Sequence, residues 1–313
     1  MNSNGSEPPP YGFIAKELVD GRAVPFLGAA ASYAGVPDDQ PHRLPGGQGL
    51  TERLIADWSG YPGSASDPLT QVTQYYEECV ASHIDLCRRF RTVFYEEQLE
   101  QRPPPTARLL AAIQPPDERP FVIITTNYDC LVEKALDQAG RPYAVVIQDS
   151  NPWSPHNLRV RESGSERFEG VQSQDLVLKD YAGATLIYKL HGGFGDGLDK
   201  DVDTLVVTEG DYIRFVASLA SNAVPPVAIA EHILHDRRIL FLGYSMADWN
   251  MRVILYQLAQ RRPQQQGVPR SWGVRRNISV VEKRFWDKRD VELFDMDLAD
   301  FVVQLHEAIG ADV

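Results

Sequence analysis

The sequence predicts an α/β fold: a Rossmann-like parallel sheet with helices on both faces and a helical insertion between the first two strands. Three observations predict it. Short apolar runs such as Phe121-Val122-Ile123-Ile124-Thr125 alternate with segments of helical period, as in strands buried on both faces. Several of these runs end in glycine or small polar residues that open the next helix. Between the first run and the second, residues 50–117 offer helical patterns and no convincing strand.

In order, Tyr11–Asp20 reads as an amphipathic helix stopped by Gly21, and Ala23–Leu27 as the first strand. Residues 37–49 are rich in turn formers. A helical pattern starts near Thr51, breaks over 59–68 and resumes as one long amphipathic stretch from Thr70 to Gln101, stopped by Pro103-Pro104-Pro105. A further helix covers Ala107–Ile113. Then come the strand Phe121–Thr125, a helix over Asp129–Ala139 with Gly140 and Pro142 as stop signals, and the strand Tyr143–Ile147. Residues 149–175 read as a long polar loop. Strands follow at Thr185–Lys189, Thr204–Val207, Arg238–Leu242 and Val291–Met296. The helices between and after them are Glu209–Ser221, Val227–Leu234, Ala247–Arg261 and Leu298–Ile309.

Composition narrows the function. With 43% apolar and 24% charged residues in 313, the chain has the make-up of an ordinary globular protein. No apolar run approaches the roughly 20 residues of a membrane span, and the opening MNSNGSEPPP has neither the basic nor the apolar region of a secretory signal. Three cysteines build no disulfide framework, which points to the cytoplasm. A net charge of −12 disfavours direct nucleic-acid binding, and Arg88-Arg89-Phe90-Arg91 and Arg275-Arg276 read as solvated faces or local contacts. Cys79, His83 and Cys87 share one face if the helix through them is continuous. Structural zinc wants four ligands, so these thiols are read as core residues and no metal is expected.

Four strand ends carry the chemistry. Gly28-Ala29-Ala30-Ala31-Ser32 could let phosphates approach backbone N–H groups, or simply pack closely. Thr125-Thr126-Asn127-Tyr128-Asp129 offers an amide and a carboxylate that could grip a carboxamide or sugar hydroxyls, or cap the helix that follows. Lys189-Leu190-His191-Gly192-Gly193 places a group titrating near neutral pH beside glycines, as a general base or as a structural histidine. Leu242-Gly243-Tyr244-Ser245 with Asp248 reads as a polar tip or a helix cap.

In this order, the four resemble the motifs of the sirtuin-like superfamily, and especially its prokaryotic antiviral-defence branch of NAD hydrolases. The resemblance implies one sirtuin-like NAD-binding domain over 1–313, with 50–117 inserted in it. It implies NAD as substrate, with Gly28, Ala29, Ala30 and Ser32 along the pyrophosphate and Thr126 within the second strand-end motif. Asn127 would hold the ribose and orient a water, Asp129 would meet the nicotinamide carboxamide, and His191 would act as base. Gly243, Ser245 and Asp248 would belong to the adenosine end. Ala30 departs from the usual glycine, and the missing four-cysteine zinc module argues against lysine deacylation. The implied activity is NAD glycohydrolysis, by the effector subunit of a defence complex gated by homo-oligomerisation or by a partner. That partner would be a ring-forming ATPase translocase or a nucleic-acid-guided sensor. The alternatives are a non-catalytic nucleotide-binding subunit and an NAD-dependent deacylase.

Overall fold

The computed structural model describes residues 8–58, 60–151, 154–195, 204–221, 224–234, 237–244, 253 and 270–311. Its strands are β1 (Ala23–Leu27), β2 (Phe121–Thr125), β3 (Tyr143–Gln148), β4 (Leu158–Glu162), β5 (Glu169–Val171), β6 (Thr185–Lys189), β7 (Gly192–Gly193), β8 (Thr204–Leu205), β9 (Arg238–Leu242), β10 (Ser271–Arg275) and β11 (Val291–Asp295). Nine of them form one sheet in the order β11-β10-β9-β1-β2-β6-β3-β4-β5. From β11 to β3 every pairing is parallel; β4 and β5 add an antiparallel edge.

Side chains on successive strand residues point to opposite faces, so each central strand feeds two cores. Val24, Phe26, Val122, Ile124, Tyr188 and Phe241 pack beneath α7 (Glu209–Ala220), α8 (Val227–Leu234) and the helix Val280–Asp287, whose Trp286 is fully buried. Ala23, Leu27, Ile123, Leu240 and Leu242 pack against α1 (Tyr11–Val19), α5 (Pro105–Ala112) and the last helix, Leu298–Ala311. Burial of apolar area in these layers stabilises the fold by about 25 cal/mol per Å² removed from water. The segment between β1 and β2 holds α2 (Gly47–Asp57), α3 (Leu69–Cys79), α4 (His83–Arg91) and a π-helical turn, Thr92–Glu96, around Leu50, Leu54, Val72, Leu86 and Phe90. After β2, α6 (Leu131–Gln138) ends as its sequence predicts. Gly140 takes φ +63°, and the amides of Gly140 and Arg141 bond back to the carbonyls of Asp137 and Leu136.

Several expectations are corrected. The predicted loop 149–175 contains β4 and β5, an antiparallel pair whose alternation along Leu158, Val160 and Val171 is diluted by the Arg and Glu between. The strand at Thr204–Val207 is short and pairs with Gly192–Gly193 in a separate ribbon, outside the main sheet. The long helix over 70–101 is broken at 80–82, where Ser82 caps α4 with a reciprocal bond to Asp85. That break dissolves the shared face of Cys79, His83 and Cys87: Cys79 is exposed, Cys87 is buried, and His83 Nδ1 lies 3.3 Å from Glu77 Oε2. Strand β10 and the helix Val280–Asp287 went unpredicted; Gly273 inside the strand blurs its pattern. The helix expected at 247–261 lies outside the described residues. Among the described residues, no helix is long and apolar enough to cross a membrane.

The strand ends of β1 and β9 meet closely. Gly243 has φ +78°, and a Cβ there would sit 2.2 Å from the Ala31 amide nitrogen. A Cβ on Gly28 would fall 2.8 Å from the Gly243 carbonyl oxygen. Gly243→Ala is expected to cost about 2–3 kcal/mol through backbone strain, read as a lowered denaturant midpoint. A midpoint equal to that of the parent would show that the two loops can part freely.

Candidate functional site

The winding of the sheet reverses at β1, with β2, β6 and β3 on one side and β9, β10 and β11 on the other. At such a switch point the loops after adjacent strands diverge, leaving a crevice at the carboxyl ends. A cavity of about 670 Å³ opens there. Ala29, Ala30, Ser32, Thr126, Asn127, Asp129, His191 and Gly243 all line it. Gly28 packs directly against Gly243 and Tyr244 beside it. Ser245 and Asp248 lie outside the described residues.

Register brings the amide and the imidazole together. Strands β2 and β6 pair in parallel with Thr125 opposite Lys189. Asn127 and His191 each stand two residues beyond that pair, so adjacent strands about 4.8 Å apart deliver them to one cavity.

The Asn127 amide is held on one side. Its Nδ2 donates to the Gly28 carbonyl at 3.0 Å and to Ser32 Oγ at 2.8 Å. An amide nitrogen has two hydrogens, so both are spent, and the group left to meet a ligand is the carbonyl oxygen. Ser32 Oγ in turn donates a hydrogen bond to Asp129 Oδ2 at 2.7 Å, while Asp129 Oδ1 accepts from the Leu131 amide at 3.1 Å. Asp129 secures the helix entry, and Asn127 faces the cavity.

His191 is 6% exposed and lines the cavity, with Tyr212 and Phe215 set edge-on at 5.4 and 4.8 Å. Its Nε2 is buried without a hydrogen-bond partner. Burial disfavours the imidazolium and pushes the pKa down to about 3, so the ring is neutral at physiological pH. A buried nitrogen left unpaired costs free energy that a ligand hydroxyl would recover.

The loop after β1 is a 3₁₀ turn, Ala29–Ser32, and Ala30 sits in it at negative φ without strain. Its amides are largely committed. Gly28 N bonds to Leu242 O, Ala30 N to Gly243 O and Ala31 N to Gly28 O. Ser32 is also turned inward, toward Asn127 and Asp129. This loop shapes the crevice more than it donates to it.

Some lining residues escaped the sequence reading. Tyr128 and Tyr244 lie inside the motifs. The Tyr244 hydroxyl is 2.7 Å from Thr126 Oγ1, and the Tyr128 hydroxyl donates to Val206 O at 2.6 Å. Tyr212 from α7, and Leu44, Leu50, Leu69 and Phe94 from the segment between β1 and β2, carry no motif at all. Arg275 and Arg276 also line the cavity, paired with Glu282 and with Asp297 respectively.

Comparison with known proteins now bears on this geometry. A family model described as SIR2-like domain matches residues 122–294, from β2 to β11. "Defense-associated sirtuin 2" of Bacillus subtilis is 23% identical over 181 residues, which span 56% of this chain and 14% of that protein's length. A solved structure described as "Structural Basis for the Mechanism and Regulation of Sir2 Enzymes" aligns over 97% of this chain and 98% of its own, with 13% identity and a TM-score of 0.41. Sir2-family proteins use NAD. The chain belongs to the SIR2-like domain family.

Proposed function

We propose that the chain hydrolyses NAD to nicotinamide and ADP-ribose. One observation carries this reading: Asn127, whose amide hydrogens are both held by Gly28 and Ser32, and His191, whose Nε2 is buried without a partner, line a single cavity at the switch point. The C1′–N bond of the nicotinamide riboside breaks, the oxygen of water bonds to C1′, and the proton of water leaves to solvent. Nicotinamide departs as a neutral ring, so the site needs no general acid. It needs dipoles aimed at a cationic ribose and a positioned water.

The residues present fit these tasks. Asn127 Oδ1, its amide locked by Gly28 and Ser32, accepts from the attacking water and turns a negative dipole end toward C1′. His191 accepts from a ribose hydroxyl when its other ring nitrogen carries the proton. With a pKa near 3 it is too weak a base to take that proton fully in the unliganded cavity, so its part is to orient the sugar. Tyr33, Tyr128 and Tyr212 supply aromatic walls, and Thr126 with Tyr244 closes the floor.

The defence name of the Bacillus subtilis relative supports a role as the effector of an antiviral system. An enzyme that destroys a central cofactor must be held in check, and assembly into a homo-oligomer or docking of a second defence protein would release it. The three free cysteines suit the cytoplasm. The alternative is a subunit that binds the nucleotide without cleaving it. Calorimetric NAD binding without nicotinamide release would select it.

Incubation with NAD and chromatography of the products is expected to show nicotinamide, with Asn127→Ala lowering the rate about 100-fold or more. Full turnover by that variant would sink the assignment. The pH profile gives a second check. Because burial lowers His191 to about 3, the neutral ring persists down to mildly acid pH. The rate should therefore stay level from about pH 5 to 8 with respect to this group. A limb near 6.5 that vanishes in His191→Asn would contradict it.

A further inference from the structure

Lys189 is 4% exposed at the end of β6, two residues before His191, amid Leu186, Ile187 and Tyr188. Its Nζ lies 2.6 Å from Glu133 Oε1, 2.7 Å from the Asp129 carbonyl oxygen and 3.5 Å from that of Tyr128. An ammonium has three donors and no acceptor, and these three oxygens occupy them all. Two of the three belong to the peptides that directly follow Asn127. The third belongs to Glu133, itself 6% exposed in the first turn of α6.

The pair thus joins the strand that bears His191 to the turn that bears Asn127 and to the helix beyond. Burial works against the ammonium, but Glu133, with smaller contributions from Cys130 and Asp129, holds the pKa above the ordinary lysine value. A buried ion pair is a poor source of net stability, and apolar replacements of similar volume are often neutral. What an ammonium adds that a methionine cannot is direction: it draws two carbonyls to one point and fixes the peptide planes between them.

We propose that Lys189 is a positioning residue, its buried pair with Glu133 clamping the Tyr128 and Asp129 carbonyls and so setting Asn127 against His191. The proposal rests on the NAD-hydrolase reading. The clamp itself can be examined without turnover.

The test compares the parent chain with the double variant Lys189→Met/Glu133→Leu and with the single variant Glu133→Gln. Hydrogen–deuterium exchange of the ligand-free protein reads the amides of residues 126–131, and nicotinamide release reads kcat and KM. In the double variant, exchange over 126–131 should rise about tenfold while that of β2 stays unchanged. Its kcat should fall about 10- to 100-fold, with KM shifting less than about threefold, because geometry rather than binding is lost. Glu133→Gln keeps Lys189 on both carbonyls and should show a smaller change of the same kind, which also serves if the double variant does not fold. Parent-like exchange over 126–131 in a folded variant, or a loss residing wholly in KM, would overturn the proposal. If the parent chain releases no nicotinamide, the hydrolase reading fails, and the exchange comparison still decides for or against the clamp.

Discussion

Parallel pairing of β2 with β6 is the constraint on which the site depends. A parallel register leaves no freedom: with Thr125 opposite Lys189, residues equally far beyond the pair emerge side by side. A slip of one residue would turn Asn127 or His191 toward the opposite face of the sheet. The register is enforced by what lies behind it. Val122, Ile124, Leu186 and Tyr188 fill one core while Ile123 and Ile187 enter two separate clusters on the opposite face. Site geometry is thus inherited from hydrophobic burial that serves the whole domain.

Polar groups refine what burial sets. A chain of hydrogen bonds runs from Asn127 through Ser32 to Asp129 and on to the Leu131 amide, so every donor inside it has an acceptor. Such a chain is costly to break at any link, since the remaining groups would stay buried and unpaired. His191 stands outside this economy. Its Nε2 is buried without a partner beside the cavity, so a ligand that reaches it satisfies an atom the protein leaves unpaired.

Much of this was legible in the sequence, for physical reasons. Buried parallel strands are continuous apolar runs, so β1, β2, β6 and β9 stood out, and the residues after them named the cavity lining. The fate of Ser32 was not legible. Nothing local to the loop says that its hydroxyl turns from the crevice toward Asp129, a partner 97 positions away in the chain. Tyr212 was hidden for the same reason, since α7 reaches the cavity through tertiary packing alone. The β4–β5 hairpin was obscured because its outward residues, Arg159, Arg161 and Glu169, read as loop. The break after Cys79 depends on a cap whose advantage over a continuous helix is small.

That hairpin has a bearing on how copies of the molecule meet. An open sheet invites a stranger's strand at its margin, and here the margin is three residues long, with an exposed Glu169 and a Gly170 covered by the His156 ring. Short, charged and capped, it offers a poor template for backbone zippering. Strand-to-strand association through this rim is therefore disfavoured, and β11 is left as the other edge of the sheet.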